Sequence, residues 1–283
     1  MSVRNNMDRL GANDQTKKKA APAATVSPLN FVTPTEFVEL PSKGQGYGSD
    51  HPLNGKEVIE IRYMTAKEED ILTSVTLLKK GIAVDRFMQN IICDRNIKVD
   101  NLLIGDKNAV LIAARASGYG PNYETQVACP GCSTKTAMSF DLTSPKILES
   151  KYDEELGISK TDNGTFVIKM PFSEFSVEVK LLTGKDEKYI IQLNKNKAKG
   201  GLDETSMTDQ YKRMIVSVEG LTEKDTINHY VDNMPLRDAR HLRLSYRMVS
   251  PDIKIAQAFQ CNHCGHEQEL EVPFGADFLW PDR

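Results

Sequence analysis

The sequence predicts an α+β fold in which two β-hairpins are joined through four cysteines, with helices before them and an insertion between them. Three observations lead there. Four of the five cysteines form two C-x-x-C pairs, Cys129-Pro130-Gly131-Cys132 and Cys261-Asn262-His263-Cys264, far apart in the chain. Each pair stands between runs that alternate apolar and polar side chains, the period of a half-buried strand. The rest carries apolar residues at helical spacing, bounded by caps and stop signals. Two thiolate pairs held across tight turns complete a tetrahedral site with no open position, so the expected ligand is one structural Zn2+ per chain, held by Cys129, Cys132, Cys261 and Cys264 in a zinc-ribbon-like arrangement.

The elements follow in order. Residues 1–34 combine Asn5, Asn6, the run Lys17-Lys18-Lys19 and an Ala-Pro-Thr-Ser segment, a composition expected to form a disordered tail. Region 35–120 opens with Phe37-Val38-Glu39-Leu40-Pro41, passes through a glycine-rich turn at 42–48 and continues as a strand from Val58 to Arg62. Thr65 and Glu68 make a capping box for a helix carrying Ile71, Leu72, Val75 and Leu78 that stops at Gly81. A second helix carries Phe87, Met88, Ile91 and Ile92, and a third runs from Asp106 to Gly118.

The first zinc hairpin spans 121–142. Tyr123, Thr125 and Val127 alternate before its cysteines, and Thr134, Thr136, Met138 and Phe140 alternate after them. Gly131 and Gly265 supply the bends. The insertion, 143–250, holds a β-hairpin around Pro171, helices at 185–194, 206–218 and 222–233, a mobile Lys195–Gly201 linker, and a last helix beginning at Pro235. On that helix Arg237, Arg240, Arg243 and Arg247 share a face, read first as solvated and salt-bridged, with contact to nucleic acid or an acidic partner as the alternative. Region 251–283 forms the second zinc hairpin, with Ile253-Lys254-Ile255 leading in and Gln268, Leu270 and Val272 leading out opposite Glu267, Glu269 and Glu271. It ends in Phe278, Leu279 and Trp280, an apolar anchor for either the chain's own core or a pocket on a partner.

Several function classes recede. A redox C-x-x-C opens a helix, whereas both pairs here lie between strands. A disulfide framework fits an odd cysteine count poorly, and Cys93 reads as an inert thiol. His263 or His266 could replace a cysteine as ligand, but one lies inside the knuckle and the other heads a strand, where a polar surface residue is the commoner reading. No Walker loop, dinucleotide fingerprint or catalytic triad emerges, so no enzyme and no small-molecule substrate are expected. At 283 residues with a net charge of −3, the chain is not a general nucleic-acid binder. The polar Met1–Leu10 stretch and the absence of a long apolar run lead to an expectation of a soluble intracellular protein with no membrane contact.

Several strings now fit together: Leu40-Pro41-Ser42-Lys43-Gly44, Tyr63-Met64-Thr65-Ala66-Lys67-Glu68-Glu69, Gly105-Asp106, Ala114-Arg115-Ala116-Ser117-Gly118-Tyr119-Gly120, the first cysteine pair, Leu182-Thr183-Gly184-Lys185-Asp186-Glu187, and Phe278-Leu279-Trp280-Pro281. In this order, over roughly 36–281, the chain resembles a family of contractile-tailed bacteriophage proteins related to a baseplate hub subunit of the T-even phages. The family usually ends in two aromatics before Trp-Pro, and Leu279 takes one of those places. The resemblance implies a non-enzymatic component or assembly factor of the tail baseplate hub. Its partners would be other hub or tail proteins, met in the host cytoplasm during assembly and then in the virion baseplate. The alternative is a zinc-ribbon regulator that binds nucleic acid.

Overall fold

In the computed structural model Thr35–Glu39 (β1) and Val58–Arg62 (β2) pair antiparallel, turning Val38, Ile59 and Ile61 inward while Phe37 faces out. The described residues are 32–200, 205–273 and 278–280. All but the last three residues of the expected 1–34 tail lie outside them. No described helix is long and apolar enough to cross a membrane.

After β2 come Ala66–Thr73 (α1), Val75–Lys80 (α2) and Ala83–Ile91 (α3). The single helix expected up to Gly81 is thus two, broken at Ser74, whose ψ of 108° is extended. A continuous helix would use the Leu72 carbonyl to accept a backbone N–H one turn later. Here that carbonyl accepts the Trp280 indole N–H at 2.9 Å, a contact from the far end of the chain. Gly81 does close α2 in the left-handed conformation, with φ of 70°.

Ile104–Tyr119 (α4) leads to the first cysteine hairpin, Asn122–Ala128 (β3) and Lys135–Asp141 (β4). Lys146–Leu148 (β5) follows. The insertion builds more than the expected hairpin: Ile158–Lys160 (β6), Phe166–Lys169 (β7), Ser176–Val179 (β8) and Ile215–Val218 (β9) form one antiparallel sheet in sequence order. Between β8 and β9 lie Gly184–Lys199 (α5) and Ser206–Met214 (α6). The helix expected to reach Val218 therefore stops at Met214, because Ile215, Ser217 and Val218 pair with β8 instead, with Val216 passed over in a register shift. The Lys195–Lys199 segment, expected as a linker, is the last turn of α5. Lys224–Asn233 (α7) and Leu236–Val249 (α8) complete the insertion, with Pro235 as the residue that caps α8 rather than its first helical position.

The chain returns through Asp252–Lys254 (β10), Ala256–Gln260 (β11) and Glu267–Glu271 (β12). The expected lead-in Ile253-Lys254 belongs to β10, which pairs with β5, and only β11 pairs with β12. Buried Ile255 is the pivot between the two sheets.

Two apolar cores result. One joins β1, β2, α1, α3, α4 and both cysteine hairpins, including Leu72, Phe87, Val110, Tyr123, Phe140 and Phe259. The other joins the four-stranded sheet to α6, α7 and α8 through Phe166, Ile168, Val177, Met214 and Leu242. Their seam is hydrogen-bonded, with Ile104 N–H donating to the Leu182 carbonyl and Gly184 N–H to the Leu102 carbonyl at 3.1 and 2.9 Å. It is also ionic: Lys107 pairs with Asp85 and Glu187, and Lys188 with Asp85 and Asp100.

Three buried carboxylates brace this frame. Asp106 on α4 accepts Ser42 N–H and Oγ–H at 3.0 and 2.6 Å and Tyr47 O–H at 2.6 Å, tying the glycine-rich turn to the helix. Asp186 accepts from Thr183 in a capping box and pairs with Lys180 and Arg213. Glu68 completes the capping box with Thr65, pairs with Arg62 at 2.6 Å and accepts from Asn90 at 2.5 Å.

Burial alone would raise the Glu68 pKa, but the bonds from Arg62 and Thr65 outweigh it and bring the value to about 2, from an ordinary 4.5. A depressed carboxylate stabilises the fold above its unfolded pKa and loses that contribution as pH falls through its folded one. The difference corresponds to about 3 kcal/mol. Chemical denaturation from pH 5 to pH 2 should therefore show a stability loss that is smaller in Glu68→Gln, already weakened at neutral pH, by about the Glu68 contribution; parallel pH profiles in the two proteins would count against this role.

Candidate metal centre

Each C-x-x-C pair occupies the turn of a hairpin, and the backbone folds the same way in both. Cys129 N–H donates to the Thr134 carbonyl and Ser133 N–H to the Cys129 carbonyl, at 2.9 and 2.8 Å. In the second turn Cys261 N–H donates to the His266 carbonyl and Gly265 N–H to the Cys261 carbonyl, both at 2.9 Å. Gly131 N–H also points at Cys129 Sγ, 3.3 Å away, the kind of donor that favours a thiolate.

The residue after the second cysteine adopts positive φ in both turns, 59° at Ser133 and 70° at Gly265. Gly265 thus supplies a bend, as expected. Gly131 also sits in its turn with its N–H at Cys129 Sγ, as expected, and a Cβ there would lie 3.2 Å from His266 Cβ, so it makes room for the second turn as well. Ser133 carries the left-handed strain that a side chain makes costly. Ser133→Gly should raise the melting temperature by about 2–4 °C, corresponding to about 1 kcal/mol. A scanning calorimetry trace that is unchanged or lower would argue against strain at this bend.

The two turns bring their four sulfurs within 4.8 Å of one another. Cys129 Sγ lies 3.6 Å from Cys264 Sγ, and Cys132 Sγ lies 3.7 Å from Cys261 Sγ. Those separations are far from the roughly 2.05 Å of a disulfide. They match the edge of a tetrahedron, since four sulfurs about 2.3 Å from a central ion sit about 3.8 Å apart. Cys129 and Cys261 are buried, Cys132 is half-buried and Cys264 exposed, so the cluster has a dry floor and an open rim.

As bare thiols, Cys132 and Cys264 are shifted in opposite directions. Side-chain and backbone hydrogen bonding with Thr134 draws Cys132 down to about 6. Cys264, despite a His266 N–H that favours its thiolate, is pushed up to about 12 by the neighbouring thiols. A divalent cation removes that conflict by holding all four as thiolates, and no other cluster of possible metal ligands occurs among the described residues. The donor set therefore fits a soft, tetrahedral cation.

The two histidines near the cluster stand aside. His263 is exposed, and His266 Nε2 is 3.2 Å from Gln268 Oε1. Cys93 is half-buried and apart from the four. His229 bonds within its own helix to Asn233, and His241 Nε2 is 3.4 Å from buried Ser245 Oγ one turn along α8, without a carboxylate to complete a relay.

The C-terminal anchor packs on the chain itself. Phe278 and Leu279 are buried in the first core, and Phe278 meets the Tyr123 ring edge-on at 5.1 Å. The Phe278 carbonyl accepts Arg115 Nε–H at 2.7 Å, and that buried guanidinium also lies over the Tyr119 and Tyr123 rings. Trp280 is half-buried and holds the Leu72 carbonyl. Arg115 thus turns out to be the receptor for the chain's end. The composition of its string hinted at a helix end but not at this contact.

Neither a curated protein nor a solved structure matches the chain. A family model does: the one described as T4 bacteriophage base plate protein matches residues 33–280. The match takes in both cysteine hairpins, the insertion between them and the terminal anchor, and the chain belongs to that family.

Proposed function

We propose that this baseplate protein is a non-enzymatic component or assembly factor of the tail baseplate hub, held in shape by one structural zinc. The observation that carries the reading is the four-sulfur cluster that closes the chain across its insertion, in a family defined by the baseplate. Four cysteines leave zinc no vacant position, so the ion would supply rigidity rather than a Lewis acid or an activated water. Cys129 and Cys132 would fix the end of β3, Cys261 and Cys264 the end of β11, and the two hairpins would act as one ribbon.

A rigid platform suits a protein whose work is to present surfaces to other tail proteins. The exposed Glu267, Glu269 and Glu271 on β12 oppose a nucleic-acid role for the ribbon face. The test is mass spectrometry of purified virions and of tail-assembly complexes from infected cells. The chain should co-purify with other tail proteins in at least one of the two. Recovery only as a free protein, with normal tails formed when its gene is deleted, would refute the reading.

A further inference from the structure

The outward face of α8 carries four arginines without an ion-pair partner among the described residues. At 100° per residue, Leu236, Arg240, Arg243, Leu244 and Arg247 fall on one side of the helix, with Arg237 at its edge. Arg237, Arg240 and Arg247 are exposed and Arg243 half-buried. The salt-bridged face expected from the sequence is not what forms: none of the four makes an ion pair or hydrogen bond among the described residues. The helix's one acid, Asp238, is buried beneath, where it accepts the N–H groups of Phe172 and Ser173 at 2.9 and 3.0 Å.

Those two bonds have a second effect. They tie the backbone of the turn after β7 to α8, and Phe172 of that turn, 62% exposed, and Leu236, 83% exposed, both stand in water. Leu236 is left in water on the arginine face of α8, and Leu244 and Met248 extend the apolar component along the helix. Arginine and aromatic side chains around an apolar centre are the composition of a protein-binding hot spot.

We infer that α8, with the Phe172 turn, is the docking surface for an acidic protein partner: a surface of another tail protein that sets carboxylates against Arg237, Arg240, Arg243 and Arg247 around an apolar centre. The inference rests on the tail-assembly reading above. Charge complementarity decides the occupant. A second copy using the same face would set guanidinium against guanidinium. A second copy using its β12 glutamates would meet Glu269 and Glu271 already paired with Lys254. Nucleic acid would satisfy the arginines but leave Leu236 and Leu244 uncovered.

The test uses the full chain in infected cells, with a photo-crosslinking amino acid at position 236 and, separately, Arg237→Glu, Arg240→Glu and Arg247→Glu together. The reversed protein should melt like the original and lower the yield of infectious particles about 100-fold or more, with the corresponding Arg→Gln set falling between. Should the glutamates disturb folding, Leu236→Ser takes their place with a loss of yield expected. The crosslink should join position 236 to a net-acidic segment of another tail protein. Normal yield from a folded reversal, or a crosslink to nucleic acid, to a second copy, to a basic segment or to nothing, would overturn the inference. Deletion of the gene separates the two readings: if deletion abolishes tails and the reversal does not, only the docking surface fails; if deletion leaves tails normal, the assembly reading fails first.

Discussion

On the proposed zinc assignment, Cys261→Ser is expected to lose bound metal and a large part of the protein's thermal stability together. The two cysteine hairpins are separate two-stranded sheets, and an isolated two-stranded hairpin is marginal in water. The hairpins share part of the first core, including Phe140 and Phe259, the Asp141 N–H to Gln257 Oε1 bond at 3.3 Å links them, and the sulfur cluster joins their turns. Structural zinc contributes on the order of 10–16 kcal/mol of apparent binding free energy in small finger peptides. Much of that is offset in a larger fold with its own cores, so a loss of about 4–6 kcal/mol is expected here. For a chain of this size that corresponds to a melting temperature lower by roughly 10–20 °C. Chelation of the unaltered protein should reproduce the shift, and added Zn2+ should restore it. A Cys261→Ser protein that binds a full equivalent of zinc and melts normally would sink the assignment.

The second large effect is expected from truncation after Pro273. Phe278 and Leu279 bury their side chains in the first core, at about 1.5–3 kcal/mol each. Their removal also strips buried Arg115 of the Phe278 carbonyl, leaving a guanidinium only 3% exposed with less to satisfy it. Release of the Leu72 carbonyl by Trp280 adds to the cost. A combined loss on the order of 5 kcal/mol follows, read by denaturant titration of the purified protein. The sequence allowed this segment to serve either the core or a partner. Unchanged stability after truncation, with failure to join tail complexes, would move it to the interface.

The cysteine cluster was legible because the chemistry of the C-x-x-C turn is local, and two such turns have few ways to combine. The capping box at Thr65 and Glu68 was legible for the same reason. What could not be read were contacts made at long range. Nothing near Ser74 says that a helix breaks there, because the Trp280 indole that occupies the Leu72 carbonyl lies at the other end of the chain. The conversion of 215–218 into a strand depends on the free edge of β8, not on its own spacing. Gly131 takes the place in the turn that was expected of it, and only the position of His266 shows that it also makes room for the second turn. The strings that carry the family resemblance gain a physical meaning in the same way. Ser42 is bonded to Asp106, Gly105 lies where a Cβ would meet the Pro251 carbonyl oxygen at 2.1 Å, and Arg115 receives the chain's end. They are packing junctions rather than reactive groups, and α8 presents its arginines outward because Asp238 is used inside.

X-ray absorption at the zinc edge, with metal analysis of the same purified sample, tests the central claim most directly. One zinc per chain with four sulfur neighbours at about 2.3 Å is the expected result. A substoichiometric metal content, or a shell containing nitrogen or oxygen, would contradict a structural site made by Cys129, Cys132, Cys261 and Cys264.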